Sequence, residues 1–200
     1  GVVKKTSLMA YSKPRQGGII GLTIDEDDRV IAVGITGGNQ DVLMVTQNGH
    51  SIRFSENEVR PIGRTGRGVR GIRLKEDDHV VGACVVEPGT AILTVTDKGY
   101  GKRTELSEYP VQGRGGMGVI TIKCNEKIGS VIGVEQVTTN DQVLVITSDG
   151  NIVRMRVDEI SIIGRNTQGV RVVGLKDDNR VVCIEKLMEE SDTIKPDGTP

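Results

Sequence analysis

One phrase recurs along the chain at a spacing of about fifty residues. It reads VLMVTQNGHSIRF at 42–54, ILTVTDKGYGKRT at 92–104 and VLVITSDGNIVRM at 143–155. The turn glycine of each phrase, at 49, 99 and 150, is followed at a constant step by a second glycine at 68, 118 and 169. Gly1 and Gly18 fit a further copy that lacks its opening strand. Repeats of this length predict a propeller, a solenoid or a similar array, here with copies at about 1–38, 39–89, 90–140 and 141–188.

Each copy has the local pattern of β-structure. Two runs rich in β-branched residues flank an Asn-Gly, Lys-Gly or Asp-Gly pair, which predicts a tight hairpin. A Gly-rich loop, a short third strand, an acidic turn and a fourth strand follow. Four short strands per copy are typical of a propeller blade, and no helical period is sustained over ten residues. The sequence therefore predicts an all-β array of about four four-stranded blades, which can be incomplete or open.

Composition limits the classes of function. The chain has 200 residues, 36% of them hydrophobic, which suffices for one domain. No apolar run is long enough for a bilayer, the first residues do not have the charged-then-apolar pattern of a leader, and the three cysteines form no CxxC pair. We expect no membrane partner, a cytoplasmic location and no metal centre. Glu189, Glu190 and Asp192 fall in a stretch, 189–200, that has no strand pattern and predicts a flexible tail.

Basic residues recur at two fixed places in the copies. The hairpin bases stand four residues after the turn glycine (Lys5, Arg53, Arg103, Arg154), and the loop bases stand three or four residues before the second glycine (Arg15, Arg64, Arg114, Arg165). Equivalent positions of a repeat occupy equivalent surfaces. Strand alternation in NIVRMRV places its two arginines opposite the apolar side chains, so we expect the hairpin bases to face solvent. Glycine and arginine in the loops suit phosphate binding.

The placement of charge favours a polyanionic partner despite a net charge of −1. Acidic residues gather at 25–28, 76–78 and 177–178, whereas bases gather near hairpins and loops, which predicts a basic rim. With no Trp, one Phe and three Tyr, stacking platforms for single strands are scarce, and a bent duplex fits better. The candidate DNA-contacting residues are Lys5, Arg15, Arg53, Arg64, Arg67, Arg70, Lys102, Arg103, Arg114, Arg154, Arg156, Arg165 and Arg171.

Three segments, 51–74, 99–123 and 153–175, closely resemble the C-terminal domain of DNA gyrase A, and the likeness extends from residue 1 to about 187. The resemblance implies a β-pinwheel in which neighbouring blades exchange a strand and duplex DNA wraps around a basic rim, in support of negative supercoiling. It implies double-stranded DNA, the N-terminal region of gyrase A, and gyrase B as partners, in the bacterial cytoplasm at the nucleoid. ATP and magnesium would serve other regions of the enzyme, with no cofactor in this segment.

The chain departs from the family at one motif. The signature heptad Gln-Arg-Arg-Gly-Gly-Lys-Gly is only approximated, with Gly for its second residue and Met for its lysine, at Gln112, Gly113, Arg114, Gly115, Gly116, Met117 and Gly118. We expect this box-like loop to connect blades and touch phosphate without starting a wrap alone. Tyr11, Tyr100 and Tyr109 do not match the family's cleavage context, so no catalytic residue is assigned.

Two alternative interpretations stay open at the level of sequence. The first is the equivalent domain of topoisomerase IV, although the regular loops and nearly constant period favour gyrase. The second is a protein-interaction propeller such as a WD40 or kelch array. The absence of Trp argues against WD40, and neither class needs a base at matching positions in every copy.

Overall fold

Strands and short 3-10 turns make up all the regular structure of residues 1–176 and 178–187, which are the residues that the computed structural model describes. The all-β prediction is confirmed. Within these residues no helix is long and apolar enough to cross a membrane. The predicted tail and Asp177 of the last acidic turn lie outside the described residues.

Thirteen strands follow one another in the described chain. The strands are β1 (Val2–Val3), β2 (Asp41–Thr46), β3 (His50–Ser55), β4 (Val69–Arg70), β5 (Val80–Val85), β6 (Ala91–Thr96), β7 (Tyr100–Glu105), β8 (Val119–Ile120), β9 (Val131–Val137), β10 (Gln142–Thr147), β11 (Ile152–Arg156), β12 (Val170–Arg171) and β13 (Val181–Leu187). The 3-10 turns are Leu8–Tyr11, Glu56–Glu58, Leu106–Glu108 and Val157–Glu159.

Neighbouring copies exchange a strand. Two antiparallel sheets have the orders β5-β2-β3-β8 and β9-β6-β7-β12, so the short outer strand of each sheet comes from the next copy along the chain. The third sheet, β13-β10-β11, has three strands, and β1 pairs with β4 alone. Of the four predicted blades, two have four strands within the described residues. The first copy contributes only β1 to a sheet, and the sheet of the fourth copy lacks the outer strand that a following copy would supply.

The repeated turn glycines permit both the hairpin turn and the close approach of the strand exchanged from the next copy. At Gly49 the backbone has φ +80°, in the left-handed region that glycine adopts at no steric cost. A Cβ at Gly49 would also lie 2.2 Å from the carbonyl oxygen of Ile122, which follows the exchanged strand β8. The same two constraints hold at Gly99, where the neighbouring carbonyl is that of Val173. The spacing of the glycines therefore marks the places where consecutive copies meet.

The core lies between neighbouring sheets. One buried cluster joins Leu43 and Val45 of β2 to Ile92 of β6 and to Ile122 and Ile128. On the inner side, β9 contacts both β5 and β13, and glycine permits the approach: a Cβ at Gly82 would lie 2.3 Å from Val134. Strands β5, β9 and β13 are thus innermost, and the short exchanged strands are outermost.

Candidate nucleic-acid interface

The hairpin base Arg53 lies at the joint between the second and third copies. Arg53 donates from Nε to the Asp41 carboxylate, 2.8 Å away, and from Nη1 to the carbonyl oxygens of Leu106 and Tyr109 at 3.3 and 3.2 Å. Leu106 and Tyr109 belong to the 3-10 turn region of the next copy. A guanidinium suits this role because its donors reach several acceptors at once.

Arg103 repeats the arrangement one copy later and is almost completely enclosed. Its side chain is 6% exposed, with Nε 2.7 Å from the carbonyl oxygen of Ile160 and Nη2 3.4 Å from that of Asp158. Arg154 is the exposed member of the set, and its Nε donates to the Gln142 side chain at 2.6 Å. The expectation that the hairpin bases face solvent is therefore wrong for Arg103, because the next copy covers β7. It is right for Arg154.

Lys5, the first hairpin base, holds a buried carboxylate. Its ammonium lies 2.9 Å from the carbonyl oxygen of Glu56 and 3.3 Å from the Glu56 carboxylate, which is 2% exposed. That carboxylate also accepts from the Thr36 hydroxyl at 2.6 Å and from the backbone N–H groups of Gly38 and Gln40 at 2.9 Å. Burial alone raises the pKa of Glu56, but these hydrogen bonds outweigh it and lower the pKa to about 2. The carboxylate therefore stays ionised in the fold.

The loop bases also link consecutive copies. The guanidinium of Arg165 donates to the carbonyl oxygen of Ile120 at 2.9 Å, and those of Arg64 and Arg114 donate in the same way to Ile20 and Arg70. Each accepting carbonyl stands two residues after the second glycine of the preceding copy. These three side chains remain partly exposed, whereas Arg15 is exposed. Arg64, Arg114 and Arg165 thus join the outer segments of neighbouring copies by hydrogen bonds.

Lys102 is buried inside a loop of the next copy. Its side chain is 0% exposed, and the ammonium donates to the carbonyl oxygens of Gly164 and Arg165 and to the Thr167 hydroxyl, the last at 3.0 Å. Burial, helped by the charge of Arg165, lowers the pKa of Lys102 to about 8. Lys102 is therefore no free cation for a rim. Lys4, at the equivalent place in the first copy, donates in the same way to the carbonyl oxygen of Arg64.

The box-like loop, 112–118, connects copies as expected. The backbone N–H of Gln112 donates to Arg53 O at 2.7 Å and that of Gly115 to Gly71 O at 2.7 Å. Its one cation, Arg114, is bound to the preceding copy: Glu58 accepts from the Arg114 backbone N–H at 2.8 Å, and the Glu58 carbonyl accepts from Nε at 3.3 Å. Phosphate contact by this loop stays a prediction.

Three outer segments, 61–73, 111–123 and 162–176, form what we call the outer band. They contain the exchanged strands and their loops, and they are joined edge to edge: Arg73 N–H donates to Gly116 O and Lys123 N–H to Thr167 O, both at 2.8 Å. The band has no Asp or Glu in its sequence. Its nine basic residues are Arg64, Arg67, Arg70, Arg73, Arg114, Lys123, Arg165, Arg171 and Lys176.

Acidic residues of other segments meet this band in few places. Besides Glu58 at Arg114, the exposed Asp25 carboxylate lies 2.9 Å from the exposed Arg67 guanidinium. The acidic turn of the second copy packs instead beside the hairpin turn, where Asp78 accepts from the Asn48 backbone N–H at 3.0 Å. The predicted separation of acids from hairpins is therefore wrong. The charges are separated in another way: the outer band has no carboxylate in its own sequence, and the acidic turn lies with the hairpin turn at a different edge.

The outer band contains some of the predicted residues and adds others. Arg67, Arg70 and Arg171 lie on it with exposed side chains. Sequence reasoning missed Arg73 and Lys123, which occupy equivalent exposed positions five residues after the second glycine. The signal that would have found them is the lack of any carboxylate across the whole segment. Arg156 lies off the band, on β11, with Asp158 and Glu159 carboxylates at 3.3 and 3.2 Å.

No group of three or more His, Cys, Asp or Glu side chains within residues 1–176 and 178–187 is placed to hold a metal ion. Burial raises the pKa of the Cys84 thiol to about 12, with further contributions from Glu135 and Glu87, so this thiol stays protonated.

Sheets that complete one another by strand exchange define the chain as a β-pinwheel, a propeller-like class. The sequence profile of the DNA gyrase C-terminal domain, beta-propeller, matches residues 1–36, 40–87, 90–138 and 141–183. The chain belongs to this family of domains.

Relatives of known sequence agree with this assignment. The chain is 45% identical over 198 residues to the A subunit of DNA gyrase from Klebsiella oxytoca, covering 99% of this chain and 23% of that protein. It is 56% identical over 189 residues to the A subunit of DNA gyrase from Buchnera aphidicola of Acyrthosiphon pisum, covering 94% and 23%. The chain thus spans about a quarter of the length of these relatives.

Solved structures show the same fold. The C-terminal domain of DNA topoisomerase IV superposes with a TM-score of 0.87 at 28% identity, covering 94% of this chain and 59% of that one. The DNA gyrase A C-terminal domain superposes with a TM-score of 0.78, also at 28% identity, covering 86% and 59%. Structural likeness alone does not separate the two enzymes, but the family match and the sequence relatives place the chain with gyrase.

Proposed function

We propose that the chain binds duplex DNA without sequence preference and bends it along the outer band. The observation that supports this is the continuity of the band: three hydrogen-bonded segments with nine basic residues and no carboxylate of their own. A track of this kind matches the phosphates along a curved duplex, and phosphate contacts carry no sequence information. Family membership supports the same function.

Within the complete enzyme, the proposed role is to wrap DNA so that gyrase can introduce negative supercoils. The partners would be the N-terminal region of gyrase A, and gyrase B, in the bacterial cytoplasm. ATP and magnesium would be used by those other regions, and this segment would contribute binding and bending without bond chemistry. The exposed cations of the band would touch phosphate, whereas Arg53, Arg103 and Lys102 would hold the copies together.

The salt dependence of duplex binding tests the proposal. If all nine band cations neutralise phosphates, the logarithm of the association constant falls against the logarithm of salt concentration with a slope of about −8, so that is the steepest slope expected. Fluorescence anisotropy with duplexes of two unrelated sequences gives the slope and the sequence preference together. A flat salt response, or a strong preference for one sequence, contradicts the proposal.

A matched pair of double variants locates the contact surface. Arg70→Ala with Arg73→Ala removes two charges from the band, and Lys98→Ala with Arg180→Ala removes two exposed charges near the hairpin turns. The first pair should lower the magnitude of the slope by about 2, since each lost phosphate contact is worth about 0.9. The second pair should leave the slope within about 0.5 of wild type. Equal losses in both variants would indicate a diffuse field instead of a track.

A further inference from the structure

An open notch of about 420 Å³ interrupts the outer band between the second, third and fourth copies. It is lined by His50 at the start of β3, by residues 117–120 around β8, and by Arg165 and Asn166 of the following loop. Gly118 is needed here, because its φ is +72° and a Cβ would lie 2.1 Å from the Ser51 carbonyl oxygen. Main-chain packing therefore fixes the shape of the notch.

Two residues that line the notch, His50 and Arg165, each have a buried N–H donor without an acceptor among the described residues. Lys75 Nζ lies 3.4 Å from His50 Nε2, and an ammonium group can only donate, so Nε2 accepts and the ring proton resides on Nδ1. His50 Nδ1 is buried and has no hydrogen-bond partner within the described residues. Arg165 Nε, which also can only donate, is buried without a partner in the same part of the chain. Buried donors of this kind cost free energy unless a ligand satisfies them.

The charges around the notch favour an anion. Lys75 and Arg165 are positive, and the acidic group that acts on His50 is Asp78, in the turn beside the hairpin. Burial lowers the pKa of His50, Lys75 lowers it further, and Asp78 partly opposes them. A bound anion would raise the pKa of His50, because an adjacent negative charge stabilises the imidazolium form.

The equivalent places in other copies are built differently. Where His50 pairs with Ile120 across the exchanged strand, Tyr100 pairs with Arg171, and the Arg171 guanidinium lies 5.7 Å from the centre of the Tyr100 ring. In the first copy the pair is Val2 and Arg70. Of these three pairs, the one in the second copy combines a histidine with an apolar partner.

We propose that this notch seats one phosphate group of the DNA backbone, which accepts hydrogen bonds from His50 Nδ1 and Arg165 Nε. The inference rests on the proposed DNA-binding function and deepens it by giving one phosphate a fixed position on the band. A phosphodiester fits because its oxygens only accept, and two donors from different copies can meet two of them. Binding there is linked to protonation of His50.

Titration of His50 by NMR tests the seat in the wild-type chain. With a saturating duplex of about 40 base pairs, the pKa of His50 should rise by about 0.5 to 1 unit, because a phosphate stabilises the imidazolium. His79, on the exposed acidic turn, is the internal control and should shift less. An unchanged His50 titration with bound duplex overturns the seat and leaves the wider DNA-binding proposal standing, whereas failure of the duplex to bind overturns that proposal itself.

Variants supply a second test. His50→Ala should weaken duplex binding about 3- to 10-fold at pH 6 and less at pH 8, since the protonated ring makes the stronger contact. His79→Ala should have no such pH-dependent effect. Equal affinities for His50→Ala and wild type at both pH values contradict the seat. Inorganic phosphate alone separates the sources: a shift of His50 by phosphate but not by duplex would overturn the assignment to DNA in favour of a free anion.

Discussion

Replacing equivalent arginines in successive copies should change the free energy of unfolding by very different amounts. Arg103→Ala removes a side chain that is 6% exposed and bonded to the carbonyl oxygens of Ile160 and Asp158 at 2.7 and 3.4 Å. Arg154→Ala removes an exposed side chain whose one hydrogen bond among the described residues is to Gln142. The two positions have the same place in the repeat, so they form a matched pair that differs in whether the next copy covers the side chain.

The expected loss of stability follows from the carbonyl oxygens of Ile160 and Asp158, which lose their donor in Arg103→Ala. A hydrogen bond from a charged donor contributes about 1.5 to 3 kcal/mol, and truncation also removes the packed stem of the arginine. Arg103→Ala should therefore lower the free energy of unfolding by about 2 to 4 kcal/mol, whereas Arg154→Ala should change it by about 0.5 kcal/mol or less. Urea denaturation gives both values, provided that the slope with denaturant stays the same.

The result that refutes the reasoning is a similar effect at the two positions. If both variants are as stable as wild type, the buried guanidinium is not a joint. If both lose several kcal/mol, exposure does not decide the role of the hairpin bases. DNA binding measured on the same samples, at a temperature where both are folded, should fall no further for Arg103→Ala than for Arg154→Ala.

Two further predictions concern the joints between copies. Glu56→Gln should cost about 1 to 3 kcal/mol at pH 7. Because the folded pKa of Glu56, about 2, lies below its ordinary value of 4.5, the stabilisation is complete above about pH 4.5 and is lost as pH falls toward 2. The urea curves of the two proteins should therefore converge at low pH. A constant difference in stability would contradict the role of the hydrogen bonds to the Glu56 carboxylate. Gly118→Ala should cost about 2 kcal/mol or more, since φ is +72° and a Cβ would meet Ser51. Gly113→Ala, with open space around it, should cost about 1 kcal/mol or less. Thermal melts measure both, and equal costs would refute the close approach of Gly118 to Ser51.

Most of the fold could be predicted from the repeat. Glycine spacing, β-branched runs and Asn-Gly or Asp-Gly turns are local signals, and they correctly predicted the hairpins β2–β3, β6–β7 and β10–β11. The exchange of strands came from the family resemblance, because a two-residue strand such as Val119–Ile120 contains too few residues to show which sheet it joins. Its partner, the start of β3, lies about seventy residues away in sequence.

The candidate site was harder to predict for a related reason. Alternation along the strand places Arg53 on the face opposite Ile52 and Phe54. It cannot show that the next copy covers the face on which Arg53 and Arg103 lie. Their partners are main-chain carbonyls, which every residue has, so no sequence pattern reveals the contact. Exposed members of the band such as Arg73 and Lys123 could be predicted once the whole segment, and its lack of carboxylates, was considered.

The change in DNA topology on binding tests the central claim most directly. Closed circular plasmid is relaxed by a separate type I topoisomerase in the presence of the chain, and the linking number is measured after the protein is removed. We expect wild type and the Lys98→Ala, Arg180→Ala variant to shift the linking number to a similar extent, and the Arg70→Ala, Arg73→Ala variant to shift it less at equal occupancy. Tight binding with no shift in linking number would contradict the proposed wrapping of DNA along the outer band.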